Sequence, residues 1–382
     1  MNHRHLGKTG LMVSEIGLGG EWLTGLTEQQ TFQVIDAALA EGMNCLDIFM
    51  PQPQTRSNIG RALRGRREKM LIQGHLGAIF EDGQYTRSRQ MDKVKAAFDD
   101  LLTRLETDYI DIGMLHYIDS MEEYERVMDG PFYAYARELK DQRVIRHIGM
   151  SSHNPQVSLR AVEEGRIEVL MFSLNPAYDL EGSDATIEEM MKFRDLQSDQ
   201  WLVNTARQEL YARCAADGVG ITVMKPLGAG SLLDAKSSPF GVAMTVTQCC
   251  HYCLTRPGVS SVLVGCRTPE QVHIAACYAT ATPEEKAYGH IFSAGRSIQM
   301  TGRCMYCNHC QPCPAHIDVA EVTKFLDLAR QQPQVPETVR EHYLALEHHA
   351  GDCIQCGSCE QNCPFGVPVR ENMARAQELF GR

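Results

Sequence analysis

Two cysteine runs near the C-terminus have spacing that does chemistry: Cys304-x2-Cys307-x2-Cys310-x2-Cys313-Pro314 and Cys353-x2-Cys356-x2-Cys359-x3-Cys363-Pro364. Three thiols at x2 spacing put three soft donors on one tight loop. Zinc also takes four thiolates. A repeated triple run with a trailing Cys-Pro is instead the pattern of two [4Fe-4S] clusters. Four thiolates per cluster leave no iron open, so the expected role is electron relay or structural stapling rather than substrate activation on iron.

The rest of the chain frames that reading. Eight of its 15 cysteines lie in those runs, among 382 residues. Met1 to Gly20 shows no apolar signal segment. Crowded thiols in a reducing compartment read as metal ligands rather than disulfides, so a cytoplasmic protein is expected. No apolar run is long enough to span a bilayer. Net charge is −11, without a long Lys/Arg run. Neither nucleic acid nor membrane is therefore an expected partner. Cys249, Cys250 and Cys253 surround His251. With Cys45, Cys214, Cys266 and Cys277 they are expected to pack as apolar side chains, although a third metal site at the first group is the alternative.

Elements that could position a site come next. Eight short apolar runs alternate with longer amphipathic ones between residues 10 and 280. The strand expectations are Glu15–Leu18, Asn44–Ile48, Met70–Gly74, Tyr109–His116, Val144–Met150, Glu168–Ser173, Gly220–Lys225 and Val259–Gly265. Helices are expected over 29–41, 94–105, 121–139, 156–164, 207–216, 244–254 and 269–278, where apolar residues recur at helical spacing. Residues 3–6 and 12–13 read as a small hairpin. The pattern implies an α/β chain with a (β/α)8 TIM barrel over residues 1–295. A mainly α cluster-binding domain follows over 296–382, with the boundary near residues 293–301 and a helical stretch over 319–346 broken at Pro333 and Pro336.

Barrel chemistry sits where strands end. The polar residues there are Glu21, Asp47, His75, His116, Ser151, Ser152, His153, Asn175, Lys225 and Arg267. The longest loop, over 176–205, reads as a lid or specificity loop. Asp47, His75 and His116 end three neighbouring strands. A carboxylate beside an imidazole fixes its tautomer and suits it to acid/base work near neutral pH. Catalytic roles are therefore expected for Asp47, His75 and His116, with His153 contributing from the fifth strand.

Several motifs resemble the aldo-keto reductases, specifically the bacterial branch with a C-terminal ferredoxin-like domain. They are His5-Leu6-Gly7-Lys8-Thr9-Gly10-Leu11, Asn44-Cys45-Leu46-Asp47, Asn58-Ile59-Gly60-Arg61-Ala62-Leu63, Ile148-Gly149-Met150-Ser151-Ser152 and Lys225-Pro226-Leu227-Gly228-Ala229-Gly230. The resemblance implies a barrel binding NADPH at its C-terminal face and a catalytic Asp, Tyr, Lys and His. Asp47 and His116 match. The tyrosine position holds Gln52 and the lysine position His75. A substitute phenol from another strand, Tyr117 or Tyr178, is considered. On the cofactor side the family's aromatic, Gln and Asn fall at Leu174, Met171 and Ala275. Ser151, Lys225, Leu227, Arg267 and Gln271 remain as the implied NAD(P)H contacts.

Two-cluster ferredoxins send the last cysteine of each run to the other cluster. That resemblance implies one cluster on Cys304, Cys307, Cys310 and Cys363, and the other on Cys353, Cys356, Cys359 and Cys313. The reading is an iron-sulfur oxidoreductase acting on a small polar carbonyl or alcohol, with a redox partner protein. Its alternatives are a non-redox lyase or isomerase with structural clusters, and an electron-transfer module without a substrate of its own.

Overall fold

The computed structural model describes residues 1–180, 205–289, 291, 304, 306, 310–330, 334–363 and 366–382. The chain divides into two compact units, Met1–Ile291 and Phe292–Arg382. The expected boundary segment lies outside the described residues, as does most of the loop over 176–205.

The first unit opens on a hairpin, β1 (His3–His5) and β2 (Met12–Ser14). The barrel strands follow: β3 (Ile16–Gly19), β4 (Cys45–Ile48) and β5 (Leu71–Leu76). A second hairpin, β6 (Ala78–Glu81) and β7 (Gln84–Arg87), leaves the end of β5. Then come β8 (Ile110–Leu115), β9 (Ile145–Ser152), β10 (Val169–Ser173), β11 (Gly220–Met224) and β12 (Val259–Gly265). The closed order is β10-β11-β12-β3-β4-β5-β8-β9, with every barrel pairing parallel. All eight expected strands are present.

These strands are Val/Ile/Leu-rich because both faces are covered. Every residue of β4, β8 and β10 is buried. Each aliphatic side chain so buried contributes about 1.5–3 kcal/mol, which fixes the barrel before any polar contact matters.

The helices differ from expectation in instructive ways. The stretch over 121–139 is two helices, Met121–Met128 and Pro131–Asp141. Pro131 cannot continue the first helix but suits the first turn of the second. Helix Pro53–Leu63, the β6–β7 hairpin and helix Val369–Phe380 were not expected. Asp82 and Gly83 both have positive φ, 51° and 78°. That is the two-residue turn an Asp-Gly pair favours in a hairpin. Gly77, at φ 94°, starts the reversal from β5 into β6, and a Cβ there would meet the Arg89 guanidinium at 2.6 Å.

Glu168 ties β9 to the chain entering β10. It accepts from the Ile148 N–H at 3.1 Å, faces His147 Nδ1 at 2.8 Å and pairs with Lys140. Asp179 does similar work after β10. Buried completely, it accepts from Arg207 Nε at 3.0 Å, Tyr211 OH at 2.6 Å and Tyr252 OH at 2.9 Å.

In the second unit, helices Val319–Arg330, Glu337–Leu344 and Val369–Phe380 gather a small core around Val322, Leu326, Tyr343, Met373 and Phe380. The Tyr343 and Phe380 rings stack at 4.0 Å. Pro336 caps the second of these helices, as the expected break requires, whereas Pro333 lies outside the described residues. Among the described residues no helix is long and apolar enough to cross a membrane.

Burial opposes the charge on Glu168, yet the bonds from His147, Lys140 and the Ile148 N–H outweigh it and hold the carboxyl down at about 2. A carboxyl so depressed stabilises the fold above the ordinary value of 4.5 and loses that contribution as pH falls toward about 2. Glu168→Gln should therefore lower the unfolding midpoint at neutral pH. The gap from the parent should close between those two pH values in a denaturant series. A gap independent of pH would show that Glu168 contributes through shape alone.

Candidate active site at the barrel mouth

The C-terminal ends of β4, β5 and β8 bring Asp47, His75 and His116 into one line. Asp47 sits third in β4 and is 2% exposed. Its Oδ1 stands 2.9 Å from His75 Nε2. The other nitrogen of His75, Nδ1, stands 2.8 Å from His116 Nδ1. His116 follows β8 directly, and its Nε2 stands 2.7 Å from the Tyr85 hydroxyl. Both histidines are buried, and Tyr85 is half-buried.

Local structure holds each member in place. Gly20, just past β3, approaches the Asp47 carbonyl so closely that a Cβ would lie 2.2 Å from it. Gln73, two residues before His75 on the same strand face, donates to Asp47 Oδ1 at 3.2 Å. Phe49 lies parallel to the His116 ring at 5.8 Å and meets His75 and Tyr85 edge-on. Arg89 donates to the His116 carbonyl at 2.6 Å and to Glu123 at 2.8 Å, which staples the base of the hairpin to the end of β8.

The protonation logic follows from the buried end. A carboxylate only accepts, so with Asp47 ionised His75 carries its proton on Nε2. Neutral His75 then accepts at Nδ1. His116 must donate from its own Nδ1, leaving Nε2 to accept from the Tyr85 hydroxyl. Burial lowers the pKa of His116 well below 6.5, and the nearby Arg89 and Arg87 guanidiniums add to this. His116 is therefore a neutral transmitter rather than a place where charge rests.

His153 is near this line but engaged elsewhere. Its Nδ1 faces Asp119 Oδ2 at 2.8 Å and its N–H bonds Asp119 Oδ1 at 2.7 Å. Burial opposes the charge on Asp119, but the bonds from His153 and Ser152 hold its carboxyl low. Tyr117 lies between the two imidazole systems, its ring 6.1 Å from that of His116 and 5.1 Å from that of His153, with Arg87 over its face at 3.9 Å. Tyr178 is buried, with its N–H on Asn175 Oδ1 at 3.0 Å. The phenol on the relay is thus Tyr85, rather than Tyr117 or Tyr178. The sequence signal that could have found it is the Asp82-Gly83 turn between two short alternating runs.

The remaining strand-end residues have these places. Glu21 is raised by desolvation, with Lys225 opposing and Asp47 reinforcing, so these three charges share the mouth. Ser151 is buried and accepts from the Tyr117 N–H at 2.8 Å. Ser152 Oγ donates to Asp119 at 3.0 Å. Asn175 is structural: it caps the turn after β10 and donates to the Lys225 carbonyl at 2.9 Å. Lys225 has φ 58°. Leu227 is half-buried. Arg267 leans on the Trp22 and Thr24 carbonyls at 3.3 and 3.4 Å, and its N–H meets Gln271 Oε1 at 2.7 Å. Leu174 and Met171 are buried and apolar.

In the second unit Cys313, Cys353, Cys356 and Cys359 line one cavity, with Ile317, Val319 and Met373. Cys310 and Cys359 are buried, while Cys304, Cys313, Cys353 and Cys363 pack against the same core. Cys307 lies outside the described residues. Among the described residues no three ligand-type side chains converge at single-ion distance. A cubane does not ask for that, because each thiolate meets a different iron corner. At the Cys249, Cys250 and Cys253 group, His251 meets Tyr278 OH at 3.2 Å. Burial pushes the Cys249 and Cys266 thiols up to about 12. Cys45 and Cys214 are buried too, but Cys277 is exposed, contrary to the packing role expected of it.

A closed parallel barrel with titratable groups at its C-terminal mouth, joined to a cysteine-rich helical unit, defines a barrel oxidoreductase with an iron-sulfur module. The aldo/keto reductase family model matches residues 15–248, and the chain belongs to that family. A 4Fe-4S binding domain matches residues 346–369. The chain is 26% identical over 313 residues to the uncharacterized oxidoreductase YqkF of Bacillus subtilis, covering 75% of this chain and 94% of that protein. It is 25% identical over 189 residues to the aldo-keto reductase YhdN of the same organism, covering 47% and 54%. The aldo-keto reductase AKR11C1 of Bacillus halodurans has the same fold, with TM-score 0.58, 23% identity and coverage of 78% and 96%.

Proposed function

We propose that this oxidoreductase interconverts a small polar carbonyl compound and its alcohol, with Asp47, His75 and His116 handling the proton. The observation that carries the reading is the unbroken hydrogen-bonded line from Asp47 to His116 at the mouth, with links of 2.9 and 2.8 Å. His75 stands where the family pattern has lysine and Gln52 where it has tyrosine. The relay therefore replaces the ammonium–phenol pair rather than adding to it. His153, held by Asp119, borders the pocket and orients what enters it.

The residues present fit a nicotinamide cofactor better at its phosphates than at its ring. Arg267 offers a guanidinium at the β12 end, beside Gln271. Ser151 keeps its own hydroxyl proton to donate to a carboxamide, with Lys225 and Leu227 beside the path. The buried apolar Leu174 and Met171 offer the ring packing without a hydrogen bond. When bound, NAD(P)H supplies the hydride. The chain's own residues orient the carbonyl and move the proton.

For the second unit the reading is two [4Fe-4S] clusters, one on Cys304, Cys307, Cys310 and Cys363 and one on Cys353, Cys356, Cys359 and Cys313. The four cysteines of the second set bordering one cavity support it. Clusters move single electrons while a hydride carries two, so the clusters serve a separate redox partner protein, and the chain works in the cytoplasm, where its thiols stay reduced.

Two measurements test this. His75→Phe and His116→Phe should each lower kcat on glyceraldehyde with NADPH or NADH by about 100-fold or more, with nicotinamide fluorescence quenching retained. Full turnover in both variants would refute the relay. Anaerobically purified protein should hold about eight iron and eight sulfide per chain. About four of each would remove one cluster, and zinc without sulfide would remove both.

A further inference from the structure

We propose that Tyr85, delivered over the barrel mouth by the β6–β7 hairpin, is the catalytic phenol that exchanges a proton with the substrate oxygen at the open end of the Asp47–His75–His116 relay. The proposal rests on the proton-handling role given above and adds the group that meets substrate.

Three observations carry it. First, the Tyr85 hydroxyl lies 2.7 Å from His116 Nε2, the one imidazole nitrogen that Asp47, His75 and His116 do not use among themselves. Second, Tyr85 is half-buried while Asp47, His75 and His116 are buried, so this phenol is the relay's most exposed member. Third, its position is built. Gly77 and the Asp82-Gly83 turn fold the hairpin back, Arg89 fastens its base to the His116 carbonyl, and Phe49 braces the ring at 5.9 Å edge-on. Burial also raises the phenol pKa, with Glu21 adding and Arg87 and Arg89 opposing, so Tyr85 is a hydroxyl donor at neutral pH.

The proton balance closes in both directions. From the resting tautomers the hops run in the direction of alcohol oxidation. The alcohol carbon gives its hydride and electron pair to NAD(P)+, and the alcohol oxygen gives its proton to Tyr85 as Tyr85 passes its own to His116 Nε2. His116 passes a proton from Nδ1 to His75 Nδ1, and His75 passes one from Nε2 to the Asp47 carboxylate. The proton ends on Asp47, with both imidazoles neutral and their tautomers exchanged. Carbonyl reduction runs the same hops backward from that Asp47-protonated form and restores the resting tautomers. Because neither imidazole has to hold two protons, the low proton affinity of His116 is no obstacle.

The test uses the full chain with both clusters present. Tyr85→Phe should lower kcat on glyceraldehyde about 100-fold or more, while KM and the nicotinamide dissociation constant stay within about twofold. A second readout needs no turnover: in protein carrying 13Cζ-tyrosine, the Tyr85 resonance, assigned by its loss in Tyr85→Phe, should shift in His116→Phe and also in Asp47→Asn, three hydrogen bonds away. Full turnover in Tyr85→Phe, with His116→Phe inactive, would overturn the role of Tyr85 and leave the relay standing. A Tyr85 resonance unmoved by Asp47→Asn would also overturn it. A parent protein unable to turn over any carbonyl or alcohol would overturn the carbonyl–alcohol reading and, with it, this role.

Discussion

A buried carboxylate governs the mouth of this barrel. Asp47 is out of water, with a donor from His75 and one from Gln73 on the same oxygen. Hydrogen bonds to a charged group are worth about 1.5–3 kcal/mol each, and leaving such a group bare costs more. The carboxylate therefore dictates which nitrogen of His75 is protonated. Through the short Nδ1 to Nδ1 contact, it then dictates the same for His116. A single acceptor-only group sets the direction of every donor behind it.

The barrel is what allows that arrangement. Side chains at the ends of adjacent parallel strands point to a common axis, and the strand register places β4, β5 and β8 side by side. The cost of burying three polar side chains is met by the aliphatic layers below them. The two units separate the chemistry by element. Asp47, His75 and His116 lie at the strand ends of one, and the described cysteines of the two tight runs belong to the other.

Much of this was legible in the residues. The eight strands announce themselves because Val, Ile and Leu runs covered on both faces end at Gly, Pro or Asn. Asp47, His75 and His116 could be placed at strand ends for the same reason. The break between Met128 and Pro131 was legible in Gly130-Pro131 but hidden by the apolar periodicity running through it. Tyr85 was harder. It lies in an insertion whose strands are only four residues long, and its meaning depends on where the hairpin folds. Gln73 escaped because a buried amide between apolar neighbours looks like strand filler until Asp47 is seen beside it.

The measurement that tests the central claim most directly is 15N NMR of the His75 and His116 ring nitrogens in resting protein at neutral pH. The account requires His75 protonated at Nε2 only and His116 at Nδ1 only, two neutral rings of opposite tautomer. Both rings protonated at Nε2, or either ring doubly protonated, would contradict it.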